Sequence, residues 1–227
     1  MSITLIIIIA TCLVSFAGFN NQRIIDDLIF YPPAVAQRNQ WYRFFSCGLI
    51  HGDIGHLFFN MLSLYLFGEY VEQSFEGVTG YGANGVIEFV PLFGRSAPWL
   101  YLTMYVLALF FCLLPTFAKH KDDYYYRSLG ASGAVSAVVF AGILLFPTVK
   151  LGFFFIPPII PGYIFGPLYL LISSVLEKQA RDNVNHSAHI WGALFGVFFV
   201  IIAAVLFKSD YHPVEQFVFQ VRNSLGI

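Results

Sequence analysis

The chain has 227 residues, of which 58% are hydrophobic and only 11% charged, with a formal net charge of -1. A soluble domain carries about 25% charged residues, so a water-facing surface of ordinary composition is excluded. Near-neutral charge leaves no electrostatic footprint for a nucleic-acid partner, and three cysteines, Cys12 and Cys112 inside apolar runs, make no disulfide framework.

The few charges bunch between long apolar stretches, the layout of a polytopic membrane protein. The first stretch, Ile3 to Phe19, is uncharged and just long enough to span, since roughly 20 residues cross the hydrocarbon core. A secretory signal peptide is the rival reading, but a positive start and an evident small-residue cleavage site are both missing. A polar and aromatic connection through Pro32-Pro33 and WYRFF at 41–45 leads to the second span, about 54–70. Its uncharged part ends at Gly68, so this helix is expected to begin below one membrane surface. A Gly-rich connection at 77–85 precedes the third span, about 97–118, with Pro98 in a tolerated first-turn position.

The loop KHKDDYYYR at 119–127 reads as a solvated connection near headgroups. The fourth span, about 130–147, opens GASGAVSAVVF. The fifth is expected over about 158–176, within a region interrupted by Pro157, Pro158, Pro161 and Pro167. The link EKQARDN leads to the sixth, about 186–207, and the short tail is expected at the interface. No internal repeat or second domain is evident. The expectation is one all-α membrane domain over 1–227, with six spans and both termini on one side. With the amino terminus inside, the outer loops carry Arg23, Arg38, Arg43, Lys119, Lys121, Arg127, Lys178 and Arg181, and the inner side Arg95, Lys150, Lys208 and Arg222. Eight against four runs opposite to the positive-inside rule.

Polar groups inside membrane spans are costly and point to function. The second span carries His51, His56 and Asn60, the last two one helical turn apart and so on one face. The fourth begins Gly130-Ala131-Ser132-Gly133, and the sixth begins with His186 and His189 followed by Gly192 and Gly196. Each has a plain reading. A serine among small residues is most often packing, His186 near a helix end meets water, and Asn60 can bridge two helices. Together they complement one another. Peptide hydrolysis needs a nucleophile, a base within hydrogen-bond reach and donors for the oxyanion. Ser132 offers the first and His189 the second. His56, the Asn60 amide and the Ser132 N–H offer the third. Gly130, Gly133, Gly192 and Gly196 would let backbones approach, and His51, Asp53, Asn185 and His186 would hydrate the cavity mouth. No carboxylate has the spacing of a third triad member, Asp182 being a poor candidate, so a serine–histidine dyad is the proposal.

These residues resemble the signature of the rhomboid intramembrane serine proteases. The G-x-S-G at the start of the fourth helix is Gly130-Ala131-Ser132-Gly133. The histidine of the sixth helix, followed by small residues, is His189 with Gly192 and Gly196, and the H-x4-H-x3-N pattern is His51, His56 and Asn60. Trp41-Tyr42-Arg43 resembles an element of the family's first loop, and Glu72 a glutamate ending its second helix. The resemblance implies a six-helix bundle around a water-filled cavity, Ser132 as nucleophile, His189 as general base and an oxyanion hole from His56, Asn60 and the Ser132 amide. It implies membrane-protein substrates cut in or near helix-destabilised transmembrane segments, no metal and no organic cofactor. It also implies a multi-pass protein, read here as one of a bacterial inner membrane, with its site toward the extracytoplasmic side. One position departs. Many members carry an aromatic four residues after the nucleophile, stacked on the histidine, where this chain has Ser136. Trp191 or water would then have to hold His189.

Three other readings compete. A metalloenzyme would use His51, His56, His186 and His189 as ligands, leaving Ser132 and Asn60 without purpose. A non-catalytic rhomboid-like protein would bind membrane helices, but such proteins typically lack the serine or the histidine. An α/β-hydrolase fails because its G-x-S-x-G elbow needs a preceding strand and a final glycine, where Ala134 stands.

Overall fold

The computed structural model describes residues 1–81, 87–152, 157–179 and 184–227. Helix α1 (Ile3–Phe19) is capped by the Ser2 side chain, which accepts from the Leu5 N–H. Three short helices then fill the polar and aromatic connection: α2 (Gln22–Leu28), α3 (Pro32–Arg38) and α4 (Arg43–Ser46). Buried Arg43 holds them together, its Nη1 donating to the Asp26 and Ile29 carbonyls at 2.9 and 2.7 Å and its Nε to Gln40 Oε1 at 2.6 Å.

Helix α5 (Ile54–Glu76) starts on an Asp53 cap and runs 23 residues, well past the end expected for it. Its acidic last turns are tolerated because Glu72 has partners: its carboxylate accepts the Ile3 and Thr4 N–H groups of α1 at 2.7 and 2.8 Å. An anion at a helix amino terminus also meets the positive end of the macrodipole. Gly68 makes the contact possible, since a Cβ there would lie 2.7 Å from Thr4 Cγ2 and 2.8 Å from Tyr101 Oη. The Gly-rich connection that follows contains a hairpin, β1 (Val78–Tyr81) paired antiparallel with β2 (Ile87–Val90).

The expected third span is two helices, α6 (Ala97–Phe111) and α7 (Leu114–His120). Pro115 in the first turn of α7 explains the break, because it donates no N–H to the turn before it. Helix α8 (Ser132–Leu145) starts two residues later than expected, since Gly130 has φ +111° and lies outside helical geometry. A small pair, β3 (Lys150–Leu151) with β4 (Ile160–Pro161), precedes α9 (Gly162–Gln179), which carries Pro167 in its interior. Part of the region expected to lead into the fifth span, 153–156, and most of the charged link, 180–183 with Asp182, fall outside the described residues. Helix α10 (His186–Leu206) is capped by the Asn185 side chain, and an amphipathic α11 (Pro213–Leu225) closes the chain.

Helix α8 is the axis of the molecule. All but two of its residues are buried, and α5, α6, α9, α10 and α11 all pack against it, α10 most extensively. Its 14 residues reach about 21 Å at 1.5 Å per residue, less than the hydrocarbon thickness of about 30 Å. Large apolar side chains face outward around the bundle, among them Phe58 and Leu66 on α5, Leu171 on α9 and Phe198 and Val205 on α10. Among the described residues two helical stretches, Gly94–His120 and His186–Leu206, are long and apolar enough to cross a membrane.

Candidate active site

Helices α8 and α10 touch backbone to backbone. A Cβ on Gly192 would overlap the Gly133 carbonyl oxygen, and one on Gly196 the Ala137 carbonyl oxygen. That approach brings their first turns together, and Ser132 Oγ lies 2.7 Å from His189 Nε2. Gly133 allows a third approach, as its Cβ would meet Cys112 Sγ at 2.5 Å.

The loop before Ser132 is pinned from several sides. Phe30 and Ser128 exchange both backbone hydrogen bonds, at 2.9 and 3.1 Å, and the Gly130 N–H donates to the Cys47 carbonyl at 2.9 Å. The Ala131 N–H donates to His51 Nε2 at 3.5 Å. Behind His51, Ser15 Oγ donates to the Leu49 carbonyl at 2.9 Å and lies 3.0 Å from His51 Nδ1. The one hydroxyl proton being spent on Leu49, the His51 Nδ1–H must be the donor to Ser15. Its Nε2 is then free of a proton and can accept from Ala131, so His51 is a neutral imidazole of defined tautomer. It is fully buried rather than at the cavity mouth, as is His186 contrary to its expected contact with water.

A cavity of ≈ 1040 Å³ opens in front of the pair, with Asp53, His56, Asn60, Ser132, Asn185 and His189 among its lining. His56 lies against the glycine two residues before Ser132: a Cβ on Gly130 would stand 2.7 and 2.8 Å from His56 Cε1 and Nε2. Asn60 Nδ2 donates to the His56 carbonyl one turn back, at 3.1 Å, and that buried amide faces the same cavity. Ser132 and Gly133 open α8, and the first amides of a helix have no intrahelical acceptor. The remaining wall is apolar, with Phe59, Leu62 and Leu66 from α5 and Phe140, Phe165 and Tyr169 from α8 and α9.

Trp191 is half exposed. The aromatic ring found against His189 is Tyr169 of α9, with centroids 6.4 Å apart and planes 26° from parallel. Sequence reasoning missed it, because a tyrosine in an apolar helix carries no signal that separates a site residue from packing. The four histidines weighed as metal ligands form two separate ring pairs, His51–His56 at 4.9 Å and His186–His189 at 5.7 Å. Among the described residues no three His, Cys, Asp or Glu side chains converge as a metal site requires.

Beside the site, the charged loop is more than a solvated connection. His120 Nδ1 lies 3.1 Å from Asp123 Oδ2 and its ring stacks on Tyr126 at 3.8 Å. The His120 hydrogen bond and the Tyr125 N–H hold the Asp123 carboxyl below its ordinary value, and burial pushes the Tyr126 hydroxyl up to about 12. Lys119 pairs with Glu177 at 3.4 Å, and Glu177 also accepts the Ser187 N–H at 3.0 Å. The loop thus ties α7 to the end of α9 and the start of α10.

Comparison with known proteins points one way. The rhomboid domain profile matches residues 38–206. RHOMBOID-like protein 12, mitochondrial, of Arabidopsis thaliana is 30% identical over 145 residues, covering 63% of this chain and 40% of its own length. The chain therefore spans well under half of that relative.

Proposed function

Because the chain belongs to the rhomboid family, we propose that it is an intramembrane serine endopeptidase with Ser132 as nucleophile and His189 as base. One observation carries the reading: the 2.7 Å contact between Ser132 Oγ and His189 Nε2 at the floor of a cavity. His189 Nε2 takes the hydroxyl proton as Ser132 Oγ attacks the scissile carbonyl. The oxyanion is met by the Ser132 N–H, the Asn60 amide and His56. Collapse expels the amine, which receives the proton from His189 and leaves an acyl-enzyme. A water entering past Asp53 and Asn185 repeats the sequence in reverse, giving the acid and restoring Ser132.

The bundle is read as six spans, α1, α5, α6 with α7, α8, α9 and α10. Of the shorter ones, α1 packs on α5 and α6, and α8 is enclosed by α5, α6, α9 and α10. The apolar wall suits a hydrophobic substrate segment, and the polar floor suits an unwound one, since a helical peptide bond is shielded by its own hydrogen bonds. Substrates are therefore membrane proteins whose transmembrane segments carry helix breakers. A substrate with proline or glycine near the cut is expected to be cleaved faster than a uniform leucine helix. The location proposed is a bacterial inner membrane, with the cavity toward the extracytoplasmic side.

The test is covalent labelling of the purified, detergent-solubilised protein by a fluorophosphonate, beside Ser132→Ala and His189→Ala. Labelling of the wild type alone supports the dyad, and the histidine variant should fall by at least about a hundredfold, the usual worth of a general base. A folded protein that takes no label would be a family member that binds membrane helices without cutting them. Labelling that survives Ser132→Ala would show that the nucleophile is another residue.

A further inference from the structure

We infer that Tyr169 is the positioning residue for His189, delivered by α9 in place of an aromatic at position 136 of α8. The inference rests on the dyad reading and deepens it. Tyr169 makes two contacts that together define its place. Its ring lies along His189 at 6.4 Å and 26°, within the range of offset stacking. Its hydroxyl is 3.2 Å from Ser136 Oγ, one helical turn below the nucleophile. Ser136 is therefore the partner that this arrangement requires. A small hydroxyl there leaves room for the ring and fixes its far end, whereas a bulky residue would fill the space that Tyr169 occupies. His186 meets the same imidazole nearly edge-on, at 5.7 Å and 83°. The base is thus held between one residue of its own helix and one of α9.

The chemistry needs such a support. His189 must keep Nε2 aimed at Ser132 and must carry a positive charge once it takes the proton. An aromatic face restricts rotation of the ring and is attracted to the imidazolium that forms. Because the ring comes from α9, a base aimed at Ser132 requires α9 to be seated on α8. Pro167, two residues before Tyr169, donates no N–H to the turn below, so the helix lacks one of its own bonds beside the ring. Tyr169 and His186 face His189, and Asp53, His56, Cys112 and Arg127 line the same cavity.

The experiment measures the rate of Ser132 labelling by a fluorophosphonate against pH, with melting temperature, for four proteins: wild type, Tyr169→Phe, Tyr169→Leu and the double variant Ser136→Tyr/Tyr169→Leu. Tyr169→Phe keeps the ring but loses the Ser136 contact, so it should label more slowly than wild type and faster than Tyr169→Leu. Tyr169→Leu should label about tenfold more slowly with a displaced pH midpoint, a fraction of the full general-base effect. The double variant returns an aromatic from α8 and should regain most of the rate. Equal rates and one pH midpoint for wild type and Tyr169→Leu would reduce Tyr169 to packing and overturn the inference. Should Tyr169→Leu lose its fold, the double variant decides, and a folded double variant with no regained rate also overturns it. A wild type that takes no label removes the dyad reading itself, and the inference with it.

Discussion

His51 makes no contact with the cavity, yet it anchors the segment that carries Ser132. It joins α1 to the residue before Ser132 through the chain Leu49, Ser15, His51, Ala131. Replacing it by alanine leaves the buried Ala131 N–H without its acceptor, a loss of about 1–3 kcal/mol, while the Ser15 hydroxyl keeps its bond to the Leu49 carbonyl. His51→Ala should therefore unfold at lower denaturant concentration and label more slowly. His51→Gln, which offers a donor and an acceptor at similar reach, should recover part of both; chemical denaturation in detergent measures the first and fluorophosphonate kinetics the second. Asp123 gives a prediction with a pH sign. Its carboxyl is held below the ordinary value in the fold, so its contribution is complete above the unfolded value of about 3.9 and is lost as pH falls through the folded one. The melting difference between wild type and Asp123→Asn should be constant near pH 6 and vanish in strong acid. At this scale the sequence showed Ser132, His56, Asn60 and His189 because polar groups in apolar helices are rare. It did not show Tyr169 or Ser15, because an aromatic or a lone hydroxyl in such a helix is ordinary packing until its neighbours are known.

The α8–α10 contact is the element on which the site depends. Gly196 lies four residues beyond Gly192, and a methyl on it would overlap the Ala137 carbonyl oxygen, an obstruction made of backbone that no rotamer change relieves. Gly196→Ala should cost about 1–3 kcal/mol by overpacking and also separate Ser132 from His189, so stability and labelling fall together. The small-residue pattern was readable because its purpose, close approach, follows from residue size alone. Element lengths were less readable. Helix α5 outruns its apolar stretch because Glu72 finds the amino terminus of α1, a partner nearly seventy residues away in sequence. The break between α6 and α7 was announced by Pro115 and passed over because hydropathy is continuous across it. The helices α2 to α4 depend on Arg43 meeting carbonyls, which composition does not reveal.

At the scale of the whole molecule, the distribution of positive charge opposes the orientation that the family resemblance implies. The structure accounts for part of that opposition. Arg43 is buried against two carbonyls, Lys119 is paired with Glu177, and the Arg127 guanidinium lies 4.7 Å over the Tyr31 ring. Three of the charges on the site's side thus make contacts within the connection and loop around the cavity, of which the buried Arg43 is the one the local fold depends on most. Residues kept for such contacts report less about topology than free loop charges do. With the site facing outward, the loop at 119–127 is extracytoplasmic and the turn after α10 is cytoplasmic. Tyr125, 94% exposed, and Asp210, also exposed, mark the two ends. Cys47 and Cys112 are buried and Cys12 is part of an apolar helix, so a single introduced cysteine should dominate reaction with a membrane-impermeant maleimide. In intact cells Tyr125→Cys should react, and Asp210→Cys only after permeabilisation. The reverse pattern would place the cavity on the cytoplasmic side and make the charge count the better guide, leaving the dyad geometry untouched.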